Sequence, residues 1–305
     1  MIPLNHHTFR ERKMSRKLIG LTGPSAFTTE CVEMLEQFYD ADFVMLYHNN
    51  EETLMGWVEK CDGVCLAGGV DIHPSVYDHS IWNGQGYTKF DLKRDERELK
   101  IINHCKKTKK PMLCICRGHQ LLGISYGFFL IPDLASSSIC HQPQRAQISV
   151  EKNEPVHAVS IVDTDKYFRV FSGRNPTERM PFKRLMGYDQ NAKLWTNSFH
   201  HQGLAFPQTK KNWPDGAAGI TVYGTARVDL THIKVEKIIE LMGTDSWVSC
   251  QWHPEFDWHC NSASRAVLER FKTILNKSGK QEEEIKDDVK VLASSISEVD
   301  AIEEV

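Results

Sequence analysis

Apolar positions along the first half of the chain switch repeatedly between a strand period and a helix period. Lys17–Thr22 (KLIGLT) is a short β-prone run, closed by Gly23-Pro24-Ser25. From Thr28 to Tyr39, Cys31, Val32, Leu35 and Phe38 recur at helical spacing. Asp42–Tyr47 reads as a second strand, Glu51–Lys60 as a short helix, and Gly63–Ala67 as a third strand that ends in Gly68-Gly69. Ser75–Phe90 is polar and glycine-bearing and reads as a long loop. Asp91–Lys107 is a helix with Asp91 as its N-cap and Leu92, Leu99, Ile101 and Ile102 on its apolar face. Pro111–Ile115 is a strand, and Arg117–Tyr126 is the helix directly after it. Strands alternating with helices predict a mostly parallel sheet covered on both faces.

The second half changes character. Ala146–Val150, His157–Val162, Ala218–Val222 and His232–Leu241 read as short strands of antiparallel flavour, followed by Val248–Trp252. Ser262–Leu275 is a closing amphipathic helix. No internal repeat is visible. The expected organisation is a polar extension over 1–16, one domain over 17–276 and an acidic tail over 277–305. From Asn276 to the end there are nine acids and four lysines, so the tail is expected to stay unpacked.

Charge narrows the partners. The net charge is −3, and the tail alone accounts for −5, which leaves the rest near +2. Such a balance gives no reason to expect nucleic acid or a membrane. No apolar run approaches the roughly 20 residues of a membrane helix, and the polar, basic start has no signal-peptide core. Nine cysteines without a CxxC pair support neither a zinc ribbon nor a thioredoxin motif, so reduced thiols in a cytoplasmic setting are the expectation.

The chemistry concentrates at three places. In Leu113-Cys114-Ile115-Cys116-Arg117-Gly118-His119-Gln120, an apolar strand runs into a sharp turn carrying Cys116, and a helix follows at once. Such an elbow lifts the side chain out of the strand, and a helix N-terminus favours negative charge beside it. Cys114, in mid-strand and two residues before Cys116, reads as buried core on the same side. After the Val248–Gln251 stretch comes His253-Pro254-Glu255, which offers a base and a carboxylate to orient it. Gly68-Gly69, at a strand end, permits a backbone conformation that aims an N–H into a site beside that of Arg117. His200-His201, His253, His259 and Cys260 have spacings that fit no standard zinc ligand set, so no metal is expected.

Cys116-Arg117-Gly118-His119-Gln120 resembles the nucleophile motif of class I glutamine amidotransferases, and Gln251-Trp252-His253-Pro254-Glu255 resembles their histidine motif. Gly68-Gly69-Val70-Asp71-Ile72-His73-Pro74, Asn197-Ser198-Phe199-His200-His201-Gln202 and Asp91-x-x-Arg94-Asp95-x-x-Glu98 resemble the γ-glutamyl-γ-aminobutyrate hydrolase family within that superfamily. The resemblance spans roughly residues 17 to 276. It implies a flavodoxin-like α/β core, no metal or organic cofactor, and attack of Cys116 on a γ-glutamyl amide with His253 as base and Glu255 as its orienter. It further implies oxyanion donors at Arg117 and at Gly68 or Gly69, with Gln120 and His201 on the substrate side. The small-molecule substrate is then a γ-glutamyl amine. The alternative is a glutaminase that passes ammonia to a separate synthetase partner. A non-catalytic binding protein on the same fold is a third reading, opposed by the complete Cys–His–Glu set. Residues 163–196 and 205–218 depart from the family pattern, and 75–90 follows it loosely. The identity of the leaving amine and the existence of a homo-oligomer stay open.

Overall fold

The computed structural model describes residues 16–24, 28–47, 49–77, 89–134, 140–143, 151–171, 193–206, 219–230 and 235–278. The first half follows the predicted order: β1 (Leu18–Thr22), α1 (Thr29–Tyr39), β2 (Asp42–Met45), α2 (Glu51–Lys60), β3 (Gly63–Leu66), α3 (Leu92–Thr108), β4 (Met112–Ile115) and α4 (Arg117–Ser125). Asp91 caps α3 as expected, its side chain accepting the Arg94 N–H at 3.0 Å. Three further strands follow: β5 (Phe129–Ile131), β6 (His157–Ile161) and, after α5 (Thr164–Phe171), β7 (Lys193–Thr196). Next come β8 (Gly203–Ala205), β9 (Thr221–Leu230), β10 (Val235–Gly243) and β11 (Trp247–Cys250). A short helical turn, α6 (Pro254–Asp257), precedes the closing helix α7 over 262–278.

The strands form one sheet in the order β2-β1-β3-β4-β11-β10-β9-β6-β7, with β8 on β10 and β5 on β8. The β2-β1-β3-β4-β11 segment is parallel throughout. Its order is that of a flavodoxin-like doubly wound sheet, in which ligands bind beyond the carboxyl ends of the strands. The remaining pairings are antiparallel. Two cores result. One face buries Met34 and Leu35 of α1, Tyr167 and Phe171 of α5, and Val267, Leu268 and Phe271 of α7. The other buries Leu54 and Val58 of α2, Ile101 and Ile102 of α3, and Leu121 and Leu122 of α4.

The second half departs from expectation. The stretches read as Ala218–Val222 and His232–Leu241 overlap β9 at 221–222 and β10 at 235–241, residues 218 and 232–234 lying outside the described residues, and β9 and β10 are the longest strand pair described. Strands β5, β7 and β8 have three or four residues each, too short to show a period. Helix α5 lies in a segment with no sequence assignment. The expected strand at 146–150, most of the 75–90 loop, the 1–16 extension apart from Arg16, and the 277–305 tail apart from residues 277–278, which continue α7, lie outside the described residues. At the near end of the 75–90 loop, Pro74–Val76 forms a 3-10 turn, and Phe90 at the far end bridges Asp71.

Helix α4 lies so close to β3 that a Cβ on Gly118 would collide with the Leu66 carbonyl oxygen, whereas one on Gly56 in α2 would meet nothing within 4 Å. Gly118→Ala should therefore cost about 1–3 kcal/mol, and Gly56→Ala should stabilise by about 0.5–1 kcal/mol. Urea denaturation of the two variants checks this, and equal effects of the same sign would contradict the packing.

Candidate active site at the strand ends

Cys116 is the residue between β4 and α4, at φ 49° and ψ −102°. A non-glycine residue at such a positive φ stores about 1–3 kcal/mol of strain. The turn is held from both sides. The Cys116 N–H donates to the Cys250 carbonyl at 2.9 Å, and the Gln120 N–H donates to the Cys116 carbonyl at 3.0 Å. The elbow also overrides strand alternation. Cys114 is buried as expected, but on the α3–α4 side, whereas Cys116 packs with the opposite core. The expectation of a common side fails because the chain leaves the extended conformation at Cys116. All nine cysteines are free thiols.

His253 caps the N-terminus of α6 at the end of the β11 segment, next to β4. Its Nδ1 lies 2.7 Å from Glu255 Oε1, and its ring stacks on Phe256 at 4.9 Å and 9°. Asn197 clamps the His253 backbone twice: its amide donates to the carbonyl at 2.8 Å, and its oxygen accepts the N–H at 2.9 Å. Burial pushes the imidazole down. Glu255, hydrogen-bonded to it, and the neighbouring Cys116 more than offset this and hold it well above the usual histidine range. His119, in the Cys116 motif, is a different case. Burial pushes it down to about 4, and its nitrogens face Ser249 Oγ and the Ile239 carbonyl at 3.0 Å. Gln251 Nε2 sits 3.6 Å from Cys116 Sγ.

The glycines meet a requirement different from the expected one. Neither Gly68 nor Gly69 has a positive φ. Both are needed for close approach. A Cβ on Gly68 would lie 2.8 Å from His253 Cε1 and 3.7 Å from Cys116 Cβ, and one on Gly69 would collide with the Arg94 guanidinium. Beneath them lies a buried network from the Asp91-x-x-Arg94-Asp95-x-x-Glu98 pattern. Arg94 donates to Glu98 at 2.7 Å and to the Ala67 and Gly68 carbonyls at 3.1 and 3.0 Å. The Arg117 side chain pairs with Asp95 and Glu98, and Asp95 accepts the His73 N–H at 2.9 Å. The two carboxylates therefore tie the chain after β3 to the first turn of α4.

Cys116 opens onto a polar cleft of about 180 Å³ whose lining includes Gly69, Asp71, Lys89, Gln120, Gln142 and His201. His201 Nε2 lies 2.8 Å from Asp71 and its Nδ1 3.5 Å from Asp133. Burial works against its protonation, but the hydrogen bonds it donates to Asp133 and Asp71 raise it to about 9. Gln120 reaches the cleft, yet its amide nitrogen donates to the Gln202 carbonyl at 3.1 Å and Gln251 Oε1 at 3.2 Å. It braces two neighbours as well as facing the cleft. Thus the structure brings together Cys116, His253, Glu255, Gly68, Gly69, Arg117, Gln120 and His201. Asn197, Gln251, Phe256 and Arg94 are added to them. All but Phe256 stood in the quoted motifs without a role, and Phe256 directly follows one.

His200 keeps different company from its neighbour. It is buried with His141, His157 and Glu240, one ligand-type atom of each lying within 4.8 Å of the others. Sequence spacing gave no sign of this group, because its members come from four separate segments.

Two outcomes test the geometry. Cys116→Gly should be more stable than Cys116→Ala by about 1 kcal/mol, strain relief exceeding the extra freedom of unfolded glycine. Guanidinium midpoints of the two variants measure this, and the opposite order would show an unstrained elbow. His201 is raised in the folded state from 6.5 to about 9, so its stabilisation is complete below pH 6.5 and is lost as pH climbs through 9. The stability margin of wild type over His201→Gln should shrink by up to about 3 kcal/mol across that window. A margin independent of pH would remove the charged pair with Asp71 and Asp133.

Comparison with known proteins agrees with this architecture. Residues 13–255 match the model of the family described as peptidase C26. The glutamine amidotransferase-like protein YvdE of Lactococcus lactis is 25% identical over 75% of this chain and 80% of its own length. The protein NtpR of Enterococcus hirae is 27% identical over 75% of this chain and 81% of its own. The γ-glutamyl-γ-aminobutyrate hydrolase of Escherichia coli O157:H7 is 23% identical over 70% and 72%. A solved structure from Thermoplasma acidophilum, described as a GMP synthase component, superposes with a TM-score of 0.50 at 14% identity, covering 88% of this chain and 98% of that one. With the cysteine elbow, the His–Glu pair and the flavodoxin-like sheet in one place, the chain belongs to the peptidase C26 family and has the class I glutamine amidotransferase-like fold.

Proposed function

We propose that this protein is a γ-glutamyl hydrolase that cleaves the amide of a small γ-glutamyl amine through a thioester on Cys116. The observation that carries the reading is His253, hydrogen-bonded to Glu255 and set beside Cys116, which opens onto a cleft lined by charges of both signs. The Asp71–His201 pair and Lys89, all in the cleft lining, offer charges of both signs to the ammonium and carboxylate of a glutamyl head group. The name of the Escherichia coli relative supports the same substrate class.

In this mechanism Cys116 Sγ, its proton resident on His253, attacks the γ-carbonyl carbon. The oxyanion receives backbone N–H groups of Arg117 and of Gly68 or Gly69. The C–N bond then breaks, and His253 passes its proton to the departing amine. Water, deprotonated by His253, attacks the thioester, the C–S bond breaks, and glutamate leaves with the thiol restored. Glu255 holds the imidazole in one tautomer throughout. Phe256 keeps its ring plane in place, and the Asn197 clamp fixes its backbone. Delivery of ammonia to a synthetase is the competing reading, favoured by the amidotransferase-like description of YvdE.

The deciding measurement is kcat/KM for glutamine beside a panel of γ-glutamyl derivatives of small amines, with Cys116→Ala as control. At least one γ-glutamyl amine should exceed glutamine. His253→Asn should lose about 10³-fold or more, and Glu255→Gln distinctly less. Glutamine as the best substrate, or turnover only after a second protein is added, would replace hydrolysis with ammonia transfer.

A further inference from the structure

The group formed by His141, His157, His200 and Glu240 borders the cleft through His200 and takes no part in the proposed chemistry. Its members come from the 140–143 segment, the first residue of β6, the turn between β7 and β8, and the middle of β10. All four are buried, at 3%, 5%, 3% and 0% exposure. Glu240 Oε1 is the hub. His157 Nε2 lies 3.2 Å from it, His200 Nε2 3.7 Å and His141 Nδ1 4.0 Å.

Ordinary hydrogen bonding leaves this group unfinished. His200 Nδ1 lies 2.8 Å from the Gln202 carbonyl, which can only accept, so the proton sits on Nδ1. The Nε2 lone pair is therefore turned toward the cluster, where it meets no donor. Among the described residues, His200 Nε2, His157 Nδ1 and Glu240 Oε2 are buried without a hydrogen-bond partner. A buried polar atom left without a partner is destabilising. A backbone carbonyl on the far nitrogen is also the arrangement that orients an imidazole for a metal.

We propose that these four side chains form a structural zinc site, with three imidazole nitrogens and one carboxylate oxygen as ligands. Four protein ligands without access to solvent match the closed, tetrahedral form of structural zinc, and nitrogen with oxygen donors suits that ion. Ligands at zinc distances stand about 3.3 Å apart, so His157 is already in place against Glu240, and His200 and His141 close on it by less than about 1 Å. The ion ties the 197–202 turn to β6 and β10. That turn carries Asn197, which clamps His253, and His201, which lines the cleft. The N–H of Gln251 also donates to the Glu240 carbonyl at 2.9 Å, which links the site to the residue beside Cys116 Sγ. Zinc here acts as a fastener for the active-site wall and not as a reagent.

The test uses the full chain, purified through a tag without histidines. The protein is stripped with dipicolinate, exposed to one equivalent of zinc, desalted and analysed by plasma mass spectrometry. Wild type should retain about one zinc per chain, and cobalt in its place should give the intense visible bands of a tetrahedral site. His157→Gln should weaken zinc binding at least about 100-fold in a competition with a chromophoric chelator. His259→Ala, an exposed histidine outside the cluster, should leave it unchanged. Cys116→Ala should also keep its zinc, so the site stands or falls independently of the hydrolase reading. Should His157→Gln fail to fold, the wild-type stoichiometry and the cobalt spectrum still decide. Folded wild type that retains less than about 0.1 zinc per chain would overturn the proposal. Zinc lost in Cys116→Ala would overturn it too, by placing the ion at the Cys116–His253 pair.

Discussion

The buried ion network of Arg94, Asp95, Glu98 and Arg117 is the constraint on which the active-site end of the sheet depends. Four charges are withdrawn from water there, and removing one partner from such a group costs about 3–5 kcal/mol because the others are left uncompensated. The network joins three pieces of chain that strand pairing does not join beyond Leu66: the 67–73 segment, the start of α3 and the first turn of α4. Burial works to raise the Glu98 carboxyl, but Arg117 and Arg94 bring it below its ordinary value. With the 67–73 segment held down, Gly68 can press on His253 and the strained Cys116 elbow has a fixed floor.

A second tie comes from the opposite direction. The 197–202 turn leaves β7 and touches several parts of the site within six residues. Asn197 grips the His253 backbone, Ser198 Oγ donates to the His141 carbonyl, and Phe199 meets the His253 ring edge-on at 5.8 Å. His200 joins the buried histidine group, His201 pairs with Asp71, and the Gln202 carbonyl accepts from Gln120. The cleft is thus walled by a turn fixed at nearly every residue. Under the proposed hydrolysis such a wall keeps the reacting amide oriented, a gain that is lost when the walls drift by an ångström.

How much of this is legible in the sequence depends on whether a signal is contiguous. Cys116 can be found because an apolar strand, a sharp turn and a helix follow one another within a dozen residues. His253 and Glu255 stand two apart. The parallel half of the sheet is legible for the same reason, since each βα unit has its own periodic strand and helix. The Arg94, Asp95 and Glu98 pattern is visible as spacing on one helix face, but its partners at 67–73 and at Arg117 lie far along the chain. The histidine–glutamate group is invisible because β6, β10 and two loops contribute single residues to it. Gly68 and Gly69 read as conformational freedom, whereas the structure needs them for nearness, and only the packed neighbours Arg94 and His253 reveal that. Strand alternation places Cys114 and Cys116 on one side wrongly, because it does not reach past the end of β4.

The position of β11 has a consequence for how the molecule is made. It lies between β4 and β10, at the centre of the sheet, yet about 130 residues separate it from the strand it pairs with in parallel. During synthesis, β4 leaves the ribosome with one edge unpaired and stays so until Trp247–Cys250 follows. At ordinary elongation rates that interval is on the order of ten seconds. Throughout it the nascent chain presents a Met-Leu-Cys-Ile edge, a pairing template for any other strand in reach. The helix that seals one core, α7, emerges later still. The half-made protein is therefore a natural client for chaperones, and its yield in a host cell should depend on translation speed more than on the stability of the finished fold.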